Sequence, residues 1–429
     1  MKKTFLTLLA VILTCGMTAQ TVQEDFKANI GRSGSNLLAY PAPQKKALTP
    51  APGGAKPFYI SHYGRHGSRY LISPGEYDRP YFTLLKADSL GKLTKQGKDV
   101  LRQVGLLRSE ADGRLGELSP LGAVQHRQIA ERMFRRFPEV FAGNVTIDAK
   151  STIVIRCILS MENELLEFVR LNPRLNIKSD ASRHDMYYMN LTDTALNNRK
   201  MPPVAKAAYN AFYDKTISWS GVMTRLFNDT AYVNRNVDAR RLNEQLFRLA
   251  TAAQNVESRS HVNLYTLFTD KEIYNNWRVN NAWWYINYAN CPLNGGTQPY
   301  SQRNLLKRII EEADSCIRLP HPGATLRFGH ETMVLPLVCL MDINGYGRQV
   351  ASLDQLEQAG WINYRIFPMG SNVQFIFYRK NAADKDILVK VLLNENEATL
   401  PVKTDCAPYY HWKDVRTFYL DKLNSYTGK

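Results

Sequence analysis

The alternation of strand-like and helix-like segments at both ends of this 429-residue chain, around a largely helical middle, most constrains its fold. Near the N-terminus the apolar run PFYIS breaks into a polar, glycine-bounded cluster, and the segment SPLGAVQHRQIAERMFRRFP then shows a helical apolar stripe. Ser119 can cap that helix and Pro120 suits its first position. Strands that alternate with helices in this way predict a sheet covered by helices.

The predicted organisation has a core that is interrupted once. Residues 1–19 are typical of a signal peptide, and residues 20–55 predict an extended lead-in rich in Pro, Gly and Ala. Residues 166–300 hold helical stretches and few strand-like runs, which predicts an α-helical insertion. Residues 56–165 and 301–429 then form an α/β core, with a mixed, mostly parallel central sheet flanked by helices.

The first residues favour export. Two lysines precede an apolar stretch, residues 5–13, that is too short to span a bilayer as a mature helix, and small residues supply a cleavage site just before Gln20. We therefore expect a periplasmic or secreted protein. Lipoprotein anchoring at Cys15 is the alternative, although Thr14 stands where a Gly, Ala or Ser is expected. No later stretch approaches the ~20 apolar residues of a membrane helix.

Charge and cysteine content limit the classes of partner. The formal net charge of +16 fits nucleic acid, an anionic surface or an acidic small substrate. The basic residues are scattered among acidic ones and form no nucleic-acid module, so we expect no nucleic-acid partner. The five cysteines beyond the signal peptide lack CxxC spacing, which argues against structural zinc and leaves any disulfide pairing open.

The loop Gly64-Arg65-His66-Gly67-Ser68-Arg69 is the strongest candidate for chemistry. Arg65 and Arg69 offer planar guanidinium groups that match phosphate oxygens. Between them, the neutral imidazole of His66 can attack phosphorus and form a covalent intermediate. The glycines let the backbone approach an anion closely. This pattern favours phosphoryl transfer; the alternative is a solvated surface loop.

Two further segments place polar side chains after predicted strands. In Gly329-His330-Glu331-Thr332, the histidine can hold a phosphate oxygen and the acid can protonate a leaving alkoxide. The alternative is a helix cap, in which the negative charge of Glu331 only stabilises the positive N-terminal end of the helix dipole. Arg156, in STIVIRCILS, follows another strand-like run and is either a phosphate ligand or a solvated arginine. Because ligand sites form at the carboxyl ends of strands in open α/β sheets, the three junctions together indicate one site.

These segments resemble those of the histidine acid phosphatases, the larger branch of the histidine phosphatase superfamily. The RHGxR nucleophile motif of that family matches YGRHGSR, although Tyr70 and Leu71 stand where many members soon carry a proline. The segment that follows the motif is similar to GELSPLGAVQH, the third-arginine segment to STIVIRCILS and the proton-donor motif to FGHETMVLPL. The C-terminal segments of the multiple inositol polyphosphate phosphatase group resemble FPMGSNVQFIFYR, VKVLLNENE and PYYHWKDVRTFYL. The resemblance therefore runs over nearly the whole mature chain.

The resemblance implies a role for each candidate residue. His66 would be the nucleophile that forms a phosphohistidine, and Glu331 would be the proton donor. The implied phosphate clamp consists of Arg65, Arg69, Arg156 and His330. Classical members place Asp directly after the second histidine, and the inositol polyphosphate group typically has His-Ala-Glu. This chain matches neither, because it has His-Glu-Thr.

The resemblance also implies hydrolysis of phosphate monoesters without a metal ion or other cofactor, since guanidinium groups supply the charge that Mg²⁺ supplies elsewhere. The helical insertion would cover the active site, where Arg183 and His184 either contact distal phosphates or lie in a solvated loop. We expect a small-molecule phosphate ester as partner, foremost an inositol polyphosphate such as phytate. The alternatives are a broad acid or sugar phosphatase and a non-catalytic polyanion-binding protein. The sequence indicates no particular oligomeric state.

Overall fold

The computed structural model describes residues 21–44 and 46–428. The predicted signal peptide, residues 1–19, lies outside the described residues. A single large sheet runs through the described part of the chain, and helices pack against both of its faces.

The described residues form eight strands: β1 (Lys56–Arg65), β2 (Thr146–Ser151), β3 (Asn176–Asp180), β4 (Gly323–Gly329), β5 (Asn372–Arg379), β6 (Leu388–Leu393), β7 (Asn396–Glu397) and β8 (Tyr410–His411). They also form sixteen α-helices: α1 (Val22–Ala28), α2 (Gly75–Ser89), α3 (Lys95–Ala111), α4 (Pro120–Arg136), α5 (Ile155–Leu171), α6 (Met186–Met189), α7 (Thr194–Asn198), α8 (Pro203–Thr216), α9 (Ser220–Leu226), α10 (Thr230–Asn236), α11 (Ala239–Ala252), α12 (Asp270–Tyr288), α13 (Arg303–Cys316), α14 (Glu331–Met341), α15 (Asn363–Ile366) and α16 (Trp412–Asn424). In this part of the chain, no helix combines the length and the apolar character needed to cross a membrane.

The sheet order is β3-β2-β4-β1-β5-β6-β7, and β8 pairs with the start of β6. The first four strands run parallel to one another, whereas β5 is antiparallel to β1 and β6 is antiparallel to β5. The parallel strands thus form the core of the sheet and the antiparallel strands extend one side of it. This arrangement confirms the predicted α/β class, with a mostly parallel core flanked by helices.

Burial on both faces explains why the central strands carry apolar side chains on both faces, with a few buried polar residues among them. Every residue of β4 and β5 is buried, and β1 is buried from Tyr59 to its end. Side chains alternate between the two faces, so Tyr59 packs in the cluster that contains α12 to α14, while Ile60 packs against α4 and α5.

The register of the parallel strands aligns the ends from which the predicted site residues extend. The last residue of β1, Arg65, lies opposite Gly329 at the end of β4, and Ser151 at the end of β2 lies opposite Phe328. One residue further on, the backbone N–H of His66 donates to the carbonyl oxygen of Gly329 at 3.0 Å. The side chains that follow three different strands are therefore brought to one edge of the sheet.

The N-terminal lead-in differs from the predicted extended segment. Helix α1 begins at a capping box, in which the side chains of Thr21 and Glu24 each accept from the other's backbone N–H. Residues Ile30–Leu37 then form 3-10 turns that are buried from Ser33 onward. The prediction is wrong for residues 21–37, where Val22, Phe26 and Leu37 pack in a hydrophobic cluster and distant side chains bind the backbone, as in the 2.7 Å bond from Asn255 Nδ2 to the carbonyl oxygen of Leu37. Residues 38–44 and 46–51 form no helix or strand.

The predicted start of the helical insertion at residue 166 is too early. Helix α5 continues to Leu171, and β3 then pairs in parallel with β2 at the edge of the main sheet. This strand has the polar sequence NIKSD and is largely exposed, so it has no apolar alternation that would reveal it. Helices α6 to α12 follow, and the division between core and insertion stays a prediction.

The loop after β1 lies directly against the beginning of α4. A Cβ atom added at Gly67 would lie 2.6 Å from the carbonyl oxygen of Gly122, and one added at Gly122 would collide with the backbone of Ser68. The backbone N–H of Ser119, which caps the helix as predicted, donates to the carbonyl oxygen of Ser68 at 2.9 Å. Close approach of the two backbones therefore requires glycine at both positions.

We predict that Gly122→Ala lowers the free energy of unfolding by about 1–3 kcal/mol, because the added methyl group forces rigid backbone apart. Urea denaturation of both proteins measures the difference. Gly75→Ala is the matched control, since its Cβ would meet only the flexible side chain of Arg79 at 3.2 Å. Equal stability of the wild type and Gly122→Ala would contradict the close contact.

Candidate active site

The hydrogen bonding of His66 fixes its tautomer. Its Nδ1 lies 2.9 Å from the carbonyl oxygen of Gly67, which can only accept, so Nδ1 carries the proton and donates. Its Nε2 is buried and has no hydrogen-bond partner among the described residues. The imidazole therefore presents an unshared electron pair at Nε2.

Both histidines of the cluster are held neutral. Burial lowers the pKa of His66 well below its usual value, and the charge of Arg65 lowers this pKa further, against an opposing effect of Glu331. Burial likewise lowers the pKa of His330 to about 4, opposed by Glu331 and assisted by the charge of Arg156. A neutral His66 is therefore available as a nucleophile at mildly acidic pH.

Arg65 is fully buried and only partly satisfied by the protein. Its Nη1 donates to the carbonyl oxygens of Asn36 at 2.6 Å and Phe367 at 3.0 Å. Its Nε lies 3.0 Å from Oε2 of Glu331, and Nη2 has no hydrogen-bond partner among the described residues. One N–H edge of this guanidinium group is thus left for another acceptor.

Arg69 and Arg156 add further unused donors. The Nη1 of Arg69 donates to the carbonyl oxygen of Tyr70 at 2.8 Å, while the Nε atoms of both arginines are buried without a partner among the described residues. Burial, with the charge of Arg65 and other neighbouring arginines, lowers the pKa of Arg69 to about 10 despite the opposing charge of Glu331. Unpartnered buried donors of one sign that surround one imidazole make an anion site.

Glu331 supplies the one acidic group that the structure places among these cations. It begins α14, and its Oε2 lies 3.6 Å from Nε2 of His66. Its Oε1 accepts from Nδ2 of Asn36 at 3.2 Å. Burial raises the pKa of this carboxyl, but Arg65, His66 and Arg69 together hold the pKa well below its usual range. In the free protein Glu331 is therefore ionised and balances part of the positive charge.

His330 faces His66 from the end of β4. Its ring centroid lies 5.7 Å from that of His66, and its Nε2 lies 3.3 Å from the hydroxyl oxygen of Thr152. The thiol of Cys157 lies 3.7 Å from the same nitrogen. None of the five described cysteines is paired in a disulfide. The structure thus brings together the six residues predicted for chemistry and clamp: Arg65, His66, Arg69, Arg156, His330 and Glu331.

Arg183 and His184 are not brought to this cluster. Both lie in an exposed 3-10 turn just after β3, and the imidazole ring of His184 lies 6.5 Å from the ring of Tyr187. Among the described residues, no hydrogen bond or ion pair joins either side chain to the residues around His66. Their predicted contact with substrate stays a prediction.

Several polar residues that hold the site were missed from the sequence. The Ser68 backbone N–H donates to Gln125 Oε1 at 2.9 Å, and the Ser68 hydroxyl donates to Asn255 Oδ1 at 2.7 Å. The backbone N–H of Gly67 donates to the hydroxyl of Ser160 at 3.1 Å. Gln125 falls on the buried face of α4, so helical spacing could have found it. Asn255 and Asn36 belong to no local pattern.

A cleft of about 210 Å³ opens beside Asn36, between the 3-10 segment and helices α11 and α12. Its walls include Arg248, Asn280 and Trp283. Arg248 forms an ion pair with Glu76. Its positive charge also lowers the pKa of Arg69. A polar molecule in this cleft would lie close to the anion site.

We predict that the imidazole signals of His66 and His330 stay those of neutral rings from about pH 8 to about pH 5 in proton NMR. His411 is an internal control, since the hydrogen bonds that its ring donates to the carboxylates of Asp386 and Asp405 raise its pKa, and its signal should shift within that range. Spectra of His66→Ala and His330→Ala assign the two signals. A midpoint for His66 near 6.5 would contradict the burial argument.

Comparison with known proteins agrees with this geometry. A family model described as the histidine phosphatase superfamily (branch 2) matches residues 64–394. No curated protein matches the chain.

Solved structures with the same fold include three enzymes. The multiple inositol polyphosphate phosphatase of Bifidobacterium longum, in complex with inositol hexasulfate, is 18% identical with a TM-score of 0.73, over 90% of this chain and 97% of that chain. The phytase of D. castellii is 14% identical with a TM-score of 0.68, and the match covers 93% of this chain and 86% of that chain. The Hafnia alvei phytase, in complex with myo-inositol hexakis sulphate, is 12% identical with a TM-score of 0.52, and the match covers 87% of this chain and 98% of that chain. The TM-scores show a shared fold, and the family model covers most of the sequence, so the chain belongs to branch 2 of the histidine phosphatase superfamily.

Proposed function

We propose that this protein is an exported phosphomonoester hydrolase in which Nε2 of His66 carries the phosphoryl group between two half-reactions. The observation that carries the proposal is the buried, unpartnered Nε2 among guanidinium N–H groups that have no protein acceptor in the described chain. Such a site is completed by an anion with several acceptor oxygens, as a phosphate ester has. Membership in the histidine phosphatase superfamily supports the same reaction class.

In the first half-reaction, Nε2 of His66 attacks phosphorus in line with the bond to the leaving oxygen. The P–N bond forms as the P–O bond to the alcohol breaks, and the leaving oxygen takes a proton from Glu331. The guanidinium groups of Arg65, Arg69 and Arg156 neutralise the charge on the transferring group. The hydrogen bond from Nδ1 of His66 to the carbonyl oxygen of Gly67 keeps the ring oriented and stabilises the positive charge that the ring gains.

Glu331 must hold a proton when the ester bond breaks, although it is ionised in the free protein. A bound phosphate brings negative charge beside this carboxylate and competes with it for Arg65. Because nearby charge of the same sign disfavours the ionised form, substrate binding raises the pKa of Glu331. The proton comes from solvent or from a monoanionic substrate, so we expect acid to favour the reaction.

In the second half-reaction, water attacks phosphorus opposite His66. The Glu331 carboxylate, now unprotonated, takes a proton from the water as the P–O bond forms. The P–N bond breaks, its electron pair returns to Nε2, and phosphate leaves. His66 returns to its neutral state, and Glu331 passes its proton to solvent or to the departing phosphate, which leaves it ionised as in the free protein. The arginines supply the positive charge in both steps, so the proposal requires no metal ion or other cofactor.

We propose an inositol polyphosphate such as phytate as the substrate. The positive chain, with a formal charge of +16, favours a substrate with several phosphates. Arg248 lines a cleft beside the anion site, together with Glu244. The B. longum and Hafnia alvei enzymes were crystallised with sulfate analogues of inositol hexakisphosphate. Arg183 and His184 are exposed at the same sheet edge and remain candidates for outer phosphates. A broad acid or sugar phosphatase is the second candidate.

Export is inferred from the sequence of residues 1–19 alone. Its positive start, short apolar stretch and small residues are typical of a signal peptide. We propose a periplasmic or secreted enzyme, with lipoprotein anchoring through Cys15 as the alternative. Either location would give the enzyme access to phosphate esters outside the cytoplasm.

We predict that His66→Ala lowers kcat/KM for phytate by at least ~10³-fold, about 4 kcal/mol of barrier, because it removes the covalent nucleophile. Phosphate release in the presence of a chelator measures both proteins. The same assay with glucose phosphate and p-nitrophenyl phosphate separates the two candidate substrate classes.

The exposed His261 provides the matched control, and His261→Ala should retain wild-type turnover. Full activity of His66→Ala would overturn the reaction proposed here. Negligible phytate cleavage by an otherwise active wild type would leave the broad phosphatase in its place. An inactive wild type that binds phytate tightly would indicate a polyanion-binding protein.

A further inference from the structure

Asn36 contacts both members of the ion pair at the centre of the active site. Its side-chain Nδ2 donates to Oε1 of Glu331 over 3.2 Å, and its backbone carbonyl oxygen accepts from Nη1 of Arg65 over 2.6 Å. Arg65 Nε and Glu331 Oε2 are themselves 3.0 Å apart. All three residues are buried. The two half-reactions give Asn36 no direct role, yet it touches the proton donor and the clamp at once.

The side chain of Glu331 needs a contact of this kind. It carries its carboxyl group on two methylenes, so rotation about its torsions can place the two oxygens in several ways. With Oε1 bound to Asn36, Oε2 is the oxygen that faces Nε of Arg65 and Nε2 of His66. A different orientation would move the acid away from the point where the leaving oxygen departs.

The chemistry of the amide also selects which oxygen carries the proton. An amide NH₂ group only donates, so Oε1 must act as an acceptor in both protonation states of Glu331. The proton of the carboxylic acid is thereby directed to Oε2. Turning the amide over would set its oxygen against a carboxylate oxygen, which places two acceptors in contact.

The segment that carries Asn36 is anchored on both sides. The hydroxyl of Ser35 accepts from Nδ2 of Asn363 at 2.7 Å, and the carbonyl oxygen of Leu37 accepts from Nδ2 of Asn255 at 2.7 Å. Ser35 has φ 56° and ψ −120°, a backbone conformation that residues other than glycine rarely adopt. Such backbone persists where the surrounding contacts determine it, and it is found preferentially at functional sites.

We propose that Asn36 is a positioning residue that directs Oε2 of Glu331 toward the leaving oxygen. The inference rests on the proposed function, in which Glu331 protonates the departing alcohol. It explains how a glutamate directly after His330 can serve where a shorter aspartate stands in classical members of the family. The anchored amide restrains the additional torsion of the longer side chain.

The test compares substrates whose leaving groups differ in their need for a proton. For Asn36→Ala we expect kcat for an alkyl monoester such as glucose phosphate to fall on the order of 10- to 100-fold, part of the roughly 10²–10⁴-fold that proton donation contributes. Turnover of p-nitrophenyl phosphate should change less than about 3-fold, because nitrophenolate leaves without a proton. The KM of the variant for each of the two substrates should stay similar to that of the wild type.

Ser33→Ala is the control within the same segment, since its hydroxyl donates to the carbonyl oxygen of Ile30 and does not contact Glu331. The ratio of the two substrates should be unchanged in this variant. In a Glu331→Gln background, Asn36→Ala should add no further loss on the alkyl ester, because no proton remains to be directed.

An equal loss on both substrates, or a loss that persists in the Glu331→Gln background, would overturn the positioning role. Unchanged alkyl ester turnover in Asn36→Ala would overturn it as well. A wild type that hydrolyses neither of these substrates nor phytate would instead overturn the proposed function, so the two failures are distinguishable.

Discussion

The parallel pairing of β1 with β4 is the constraint on which the site depends. With Arg65 opposite Gly329, the residues that follow the two strands, His66 and His330, lie side by side. The bond from the His66 backbone N–H to Gly329 extends this ladder by one residue. A slip of one residue would turn every side chain of the slipped strand to the opposite face of the sheet and separate the two histidines. Because both faces of these strands are buried, the register is strongly specified.

That alignment has an electrostatic cost that shapes the rest of the site. Buried guanidinium groups lose their hydration, which the protein must offset with acceptors and opposite charge. Here backbone carbonyls and the carboxylate of Glu331 offset only part of it, and several N–H groups stay without a partner in the described chain. The free site is thus arranged for an anion, and Glu331 serves as the counter-charge in the free protein. In the reaction proposed above, a phosphate takes over that role.

Much of the fold and of the clamp is predictable from the sequence because it leaves local patterns. Buried strands are apolar runs, Ser119 and Pro120 mark a helix start, and the motif around His66 is contiguous. What escapes prediction is polar and distant in sequence. The edge strand β3 has no apolar alternation, and Asn36 meets Glu331 across 295 positions of chain. Such contacts arise from tertiary packing, which short windows of sequence do not record.

The central claim is that the phosphoryl group is bonded to Nε2 of His66 during turnover. Rapid mixing of the wild type with excess substrate, followed within milliseconds by an alkaline denaturing quench that preserves a P–N bond, traps the intermediate for peptide mass spectrometry. We expect one added phosphoryl group on the peptide that contains His66. Phosphate release at the full rate with no phosphoryl group on that histidine would contradict it.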